Sequence, residues 1–266
     1  AQEVSARKYS PRMPVATCSA PASHDRDVKV VELKPTRGTR EWWSDVAGAL
    51  SPSLDGGRMA PELSLQVCLP TATEHGDNEV AMQQWQSSNL LAQLLLSVPE
   101  LVRGKDVLEI GAGFHGCVAL ASSFAGARSV LATDIDDVAV GLCQENIGPH
   151  LPRNIATACL DWTRPEEFGY GPFDVLVGAD LLYLTRMADP LVNAILHLVA
   201  PGGLAVLVGP TPLCRDGPEE FARLLKTFDA LAYKVARIAL PFARAGNHFD
   251  CYVIHVIKQF NLDDLD

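Results

Sequence analysis

The stretch Lys105 to Asp136, KDVLEIGAGFHGCVALASSFAGARSVLATDID, constrains the fold more than any other part of the chain. Five residues of strand character, Asp106 to Ile110, run into a glycine turn and then about ten small or apolar residues that suit a helix. A second apolar strand follows, Ser129 to Thr133, and ends on Asp134. Strand, loop, helix, strand is the minimum unit that makes two parallel neighbours. It brings the glycine turn and the acidic tip of the second strand to the same carboxyl edge of a sheet, where open α/β folds bind ligands. Gly111 and Gly113 let the backbone approach a ligand without a Cβ in the way. Asp134 is set to accept hydrogen bonds from ribose hydroxyls.

Two cofactor classes use this arrangement. Gly111, Gly113 and Gly116 spell G-x-G-x-x-G, the dinucleotide fingerprint, which keeps a nicotinamide-dependent oxidoreductase in view. Glu109 argues the other way. A carboxylate two residues before the first glycine has little reason to face a pyrophosphate, but suits the ammonium of a methionine-like ligand; the alternative is a local backbone cap. E-x-G-x-G followed by an acidic strand end resembles the class I S-adenosylmethionine methyltransferases.

The rest of the chain supports one α/β domain with an extension. A hydrophobic fraction of 48% in 266 residues supports a sizeable core, and no window of eighteen uncharged apolar residues predicts a membrane span. No basic segment followed by an apolar run opens the sequence, so secretion is not expected. Seven cysteines lie scattered without C-x-x-C or paired-histidine spacing, which predicts reduced thiols, no metal site and a cytoplasmic or nuclear location. The net charge of -10 argues against general nucleic-acid binding and suits either a basic protein substrate or simple solubility. Residues 1–26, rich in Pro, Ser and Ala, read as a flexible arm, and 261–266 as an acidic tail. Residues 27–79 read as an accessory segment with short strands at Val28–Leu33 and Leu63–Leu69, its small core holding Trp42 and Trp43.

From Val80 onward the pattern is regular. Leu90, Leu91, Leu94, Leu95 and Val98 make one face of a helix that Pro99 ends, and Trp85 near its start either packs or lies against the cofactor loop. Further strands are expected at Ile155–Cys159, Phe173–Gly178, Leu204–Val208, Val235–Leu240 and Cys251–Ile257, with helices at Val138–Ile147, Pro190–Val199 and Glu219–Ala230. Asp161 and Trp162, just past one strand, suit the amino group and face of an adenine. The prediction is a Rossmann-like, doubly wound seven-strand sheet: five parallel strands, a last strand inserted antiparallel, and an N-terminal extension. No G-x-S-x-G motif supports a hydrolase. His197, in an apolar helix, reads as core, and Arg186 and Arg244 as solvated rather than substrate-bound.

WQSSNLLAQLL, VLEIGAG, LATDID, QENI, LDW, FDVLVGADLLY and CYVIHVIK, in that order over residues 80–260, resemble the seven-strand methyltransferases of the family 16 group, which includes the METTL21-like protein lysine methyltransferases. The resemblance implies S-adenosylmethionine as cofactor, held by Trp85, Gly111, Ala112, Gly113, Asp134, Trp162 and Ala179, with Glu109 beside them. It implies that Asp180 and Tyr183 face the acceptor, a lysine on a protein; a monomer is expected. Histidine, an N-terminal amine or a small amine would need the same cofactor pocket. One departure stands out. The family loop reads G-x-G-x-G, but His115 occupies the third glycine's place, which crowds the methionine end unless the turn moves by one residue. A catalytically silent binding module is the reading in which it does not move.

Overall fold

The computed structural model describes residues 27–35, 59–71, 80–150, 153–211, 216–228, 233–240 and 249–257. The arm, Trp42, Trp43, Arg244 and the acidic tail lie outside them. Strand β3 (Asp106–Ile110) is central, because Val107, Leu108 and Ile110 are fully buried and it is covered on both faces. It pairs in parallel with β4 (Ser129–Asp134) on one side and β6 (Phe173–Ala179) on the other, Val107 facing Val130 and Val175. Beyond β4 lies β5 (Ile155–Cys159); beyond β6 lies β7 (Val199–Pro210), also parallel. The chain therefore winds outward from β3 in one direction and then returns to wind in the other. That reversal opens a crevice at the carboxyl ends of β3 and β6.

The seven-strand order is β5-β4-β3-β6-β7-β9-β8. β9 (Phe249–Val256) runs antiparallel between β7 and the edge strand β8 (Tyr233–Ala239), which is the inserted last strand that the sequence predicts. Helices α1 (Gln86–Ser97), α2 (Cys117–Phe124) and α3 (Asp137–Ile147) cover one face and share a core with β1 (Val28–Leu33) and β2 (Leu63–Cys68). Helices α4 (Ala188–Leu198) and α5 (Gly217–Phe228) cover the other, around Phe221, Leu191 and Tyr252. β1 and β2 form their own antiparallel sheet, Val31, Leu33, Leu65 and Val67 pointing inward.

The first helix begins at Gln86, directly after Trp85, which the sequence reading places at the helix start; the start of β7 differs from that reading. Residues 80–82 turn beside the glycine loop, where Ala81 and Met82 are buried while Val80 is exposed, and the indole Nε1 of Trp85 donates to the Val80 carbonyl at 3.0 Å. Strand β7 begins at Val199, directly after α4. Between the pairs Phe173–Val199 and Val175–Leu204 the register shifts, and Ala200 to Gly203 bulge out with Gly202 at φ +84°.

Candidate functional site

A cleft, open on one side, lies at the crevice where β3, β4 and β6 end. Its floor is the loop after β3. Gly111 (φ +65°) and Gly113 (φ +60°) are left-handed, and a Cβ on either would meet Leu181 Cδ2 at 2.6 Å or the Ala81 carbonyl at 3.1 Å. Only glycine lets this loop lie so close beneath the cleft. Asp134, at the tip of β4, is almost fully buried; its Oδ2 accepts from the Gly113 amide at 2.9 Å and its Oδ1 from the Asp136 amide at 3.1 Å. Burial pushes its carboxyl above the usual aspartate range.

Trp85 and Ser88 line the wall formed by the start of α1, while Trp162 and Ile135 line the opposite end, past β5 and β4. Asp161 also reaches the wall, but its oxygens are engaged locally. Oδ1 accepts from the Thr163 amide and hydroxyl (3.0 and 2.6 Å) and Oδ2 from Arg164 (3.1 Å). Burial alone would raise its carboxyl, but these donors hold it below the ordinary value. It serves the turn first and is less available to an adenine than its position in the sequence suggests.

Past β6, Ala179, Asp180 and Tyr183 line the remaining side. Asp180 is the one described non-glycine residue with positive φ (+58°), a conformation that aspartate tolerates better than most residues. Its amide donates to the Val208 carbonyl at 2.9 Å, and its Oδ2 accepts from the Ser87 hydroxyl at 2.8 Å. Trp85, Gly111, Ala112, Gly113, Asp134, Trp162, Ala179, Asp180 and Tyr183 thus all border one cleft.

Glu109 does not border it. Strand alternation turns its side chain under α2, where it is 3% exposed. Burial first, then the nearby Asp134, push its carboxyl up to about 8, against the pull of the Ala119 amide in the first turn of α2. Oε2 has no hydrogen-bond partner among the described residues. Cys117 and Cys143 lie close by, and burial raises both thiols well above their ordinary range, so neither is a ready nucleophile.

His115 is where the loop departs from G-x-G-x-G. Gly116 takes the left-handed position (φ +63°), where a Cβ would meet Ile147 at 2.8 Å. The imidazole is 2% exposed, sits edge-on to Phe114, and accepts a long bond from the Cys117 amide at 3.4 Å. Burial, and then the charge of Lys29, lower its pKa to about 4, so it contributes a neutral ring to the wall.

Two residues that the sequence reading passed over shape this site. Ser87 reaches Asp180 from inside the quoted WQSS segment. Asn146, in the quoted QENI, is 1% exposed: its Oδ1 accepts from the Cys68 amide (2.7 Å), and its Nδ2 donates to the carbonyls of Cys68 (3.2 Å) and Phe114 (2.9 Å). It ties β2 to the glycine loop. An asparagine facing inward among apolar residues near a helix end is the available signal for such a role.

The residues present fit S-adenosylmethionine. The loop permits close backbone approach, Asp134 offers a carboxylate at the strand tip, and an indole borders each end of the cleft. Comparison with known proteins points the same way. Residues 67–226 match the family described as lysine methyltransferase. The electron transfer flavoprotein beta subunit lysine methyltransferase of Mus musculus is 28% identical over 194 residues, 63% of this chain and 71% of that one. The EEF1A lysine methyltransferase 3 of Mus musculus is 31% identical over 148 residues, 55% of this chain and 62% of that one. The matched region spans only about half to seven-tenths of the relatives' lengths, 53% for the human flavoprotein enzyme. Among solved structures, TrmN from Thermus thermophilus shares the fold at a TM-score of 0.53 and 20% identity, over 73% of this chain and 57% of that one. None of these favours a nicotinamide enzyme. The chain belongs to the lysine methyltransferase family, on the class I S-adenosylmethionine-dependent methyltransferase fold.

Proposed function

We propose that the protein methylates a lysine side chain on a protein substrate, with Asp180 and Tyr183 receiving the acceptor amine. The observation that carries this reading is that Asp180 borders the same cleft as the glycine loop and Asp134. The names of the relatives support lysine as acceptor, and the net charge of -10 suits a basic protein surface.

S-adenosylmethionine, when bound, supplies an electrophilic methyl on a sulfonium. The chain's own residues do the rest. Asp134 would accept from the ribose hydroxyls; the bare Cα atoms of Gly111 and Gly113 would let the cofactor lie close to the loop; Trp85 and Trp162 would border it and exclude water. The acceptor must be a free amine, since an ammonium has no lone pair, and its proton leaves to solvent before the cleft is covered. Asp180 then orients the amine and stabilises the positive charge that grows on nitrogen, and the Tyr183 ring or hydroxyl flanks it. Holding nucleophile and methyl about 3 to 3.5 Å apart contributes a large share of the acceleration.

The experiment is incubation with labelled S-adenosylmethionine and cell lysate, followed by mass spectrometry of the labelled residue. Methyl-lysine on a protein is the expected result. Label on histidine or a terminal amine would redirect the acceptor assignment. Calorimetric binding of S-adenosylmethionine with no label on any protein would leave a cofactor-binding module without turnover.

A further inference from the structure

We infer that Ser87 is a positioning residue that fixes the Asp180 carboxylate for the acceptor, an inference that rests on the methyltransferase reading above. The two residues lie 93 positions apart and meet at 2.8 Å, Ser87 Oγ donating to Asp180 Oδ2. Ser87 is fully buried and does not border the cleft, so it acts on the acceptor only through the aspartate.

The backbone of Asp180 is pinned by the bond from its amide to Val208 and by its left-handed conformation. A pinned backbone still leaves two side-chain torsions free. The bond from Ser87, which comes from outside the strand end, restrains the carboxylate against swinging. Buried serines deeper in helices of this protein bond back to their own backbone: Ser97 to the Gln93 carbonyl at 2.7 Å, Ser122 to Val118 at 2.9 Å. Ser87 lies in the first turn of α1, with no helical turn behind it, and its hydroxyl crosses to β6 instead. The donor itself is held. Trp85 closes on the Val80 carbonyl, while Gln84 accepts from Lys29 of β1 at 2.8 Å and donates to Asn89 of α1 at 3.1 Å. One helix start therefore presents Trp85 to the cofactor end and holds the carboxylate at the acceptor end.

The test compares the parent chain with Ser87→Ala, using labelled S-adenosylmethionine and lysine-bearing lysate proteins as acceptor. Ser87→Ala is expected to lower the apparent kcat roughly 10- to 100-fold, as loss of a hydrogen bond to a charged group and slight misplacement do. KM and the calorimetric Kd for S-adenosylmethionine are expected to stay within about twofold, because the cofactor contacts are untouched. Ser87→Thr, which keeps the hydroxyl, is expected to restore most of the rate. Should Ser87→Ala not fold, Ser87→Cys keeps the volume with a weaker donor, and the same loss of kcat at unchanged Kd is expected. A folded variant with kcat within about twofold of the parent overturns the assignment, and so does equal loss of cofactor affinity and kcat, which is the mark of a structural role. A parent chain that binds S-adenosylmethionine yet labels no protein overturns both this inference and the reading beneath it, whereas a fully active Ser87→Ala overturns only the role of Ser87.

Discussion

The amide of Gly113 donates to Asp134 across 2.9 Å, so the glycine loop and the tip of β4 are one unit. An Asp134→Ala variant loses the proposed ribose acceptor and this tether together. Hydrogen bonds to a charged group contribute about 1.5–3 kcal/mol, so affinity for S-adenosylmethionine should fall roughly 10- to 100-fold or more. Calorimetric titration reads the change directly.

Asp180 makes the opposite prediction. Asp180→Ala should leave S-adenosylmethionine binding within about threefold while reducing methyl transfer by roughly 100-fold or more, the scale of losing an electrostatic stabiliser at the reacting centre. Paired calorimetry and label incorporation separate the two effects. Retained transfer would remove Asp180 from the acceptor site.

Glu109 sets a pH dependence. Its folded pKa of about 8 lies above the unfolded value of 4.5, so the folded state holds a proton that the unfolded chain releases. Stability is therefore fully present below about 4.5 and declines as pH rises through 8. His115, lowered to about 4 from 6.5, acts in the other sense, its stability present above 6.5 and lost as pH falls through 4. The two slopes oppose each other in mildly acidic solution, and Glu109 acts alone above neutrality. Glu109→Gln should match the parent near pH 4 and exceed it by a few kcal/mol, on the order of 2–4, at pH 8.5. Urea unfolding at both pH values measures this, and equal differences at the two would contradict it.

Asn146 joins β2 to the loop with three hydrogen bonds from a buried side chain. Asn146→Ala strands two carbonyls and one amide, which should cost about 2–4 kcal/mol. Because one of those carbonyls is Phe114, in the loop beneath the cleft, S-adenosylmethionine affinity should fall as well. Denaturant unfolding and calorimetry of the same variant test both, and a loss of stability with unchanged affinity would show that the hairpin and the loop are uncoupled.

Much of this was legible because it is local. The near-continuous apolar runs of β3, β4 and β6 and the glycines between them announce a parallel sheet with a ligand edge, and ten of the eleven residues expected at the site from Trp85 to Tyr183, Asp161 included, border one cleft. Glu109 is the exception, and its reason is also geometric. Spacing from the first glycine says how near the loop it stands, but strand alternation decides which face it takes, and that face is roofed by α2. Ser87 and Asn146 could not be read at all, since their partners lie 93 and 78 or 32 residues away and only the fold brings them together.

The side chains around the cleft hang from strand tips and from the turns behind them, not from the packed interior of the sheet. The short turn Thr185–Met187, which buries none of its residues, can therefore be rewritten while β3, β4 and β6 keep their apolar contacts. A scaffold built this way separates choice of target from the machinery of donor capture, and new recipients can be acquired by surface drift alone.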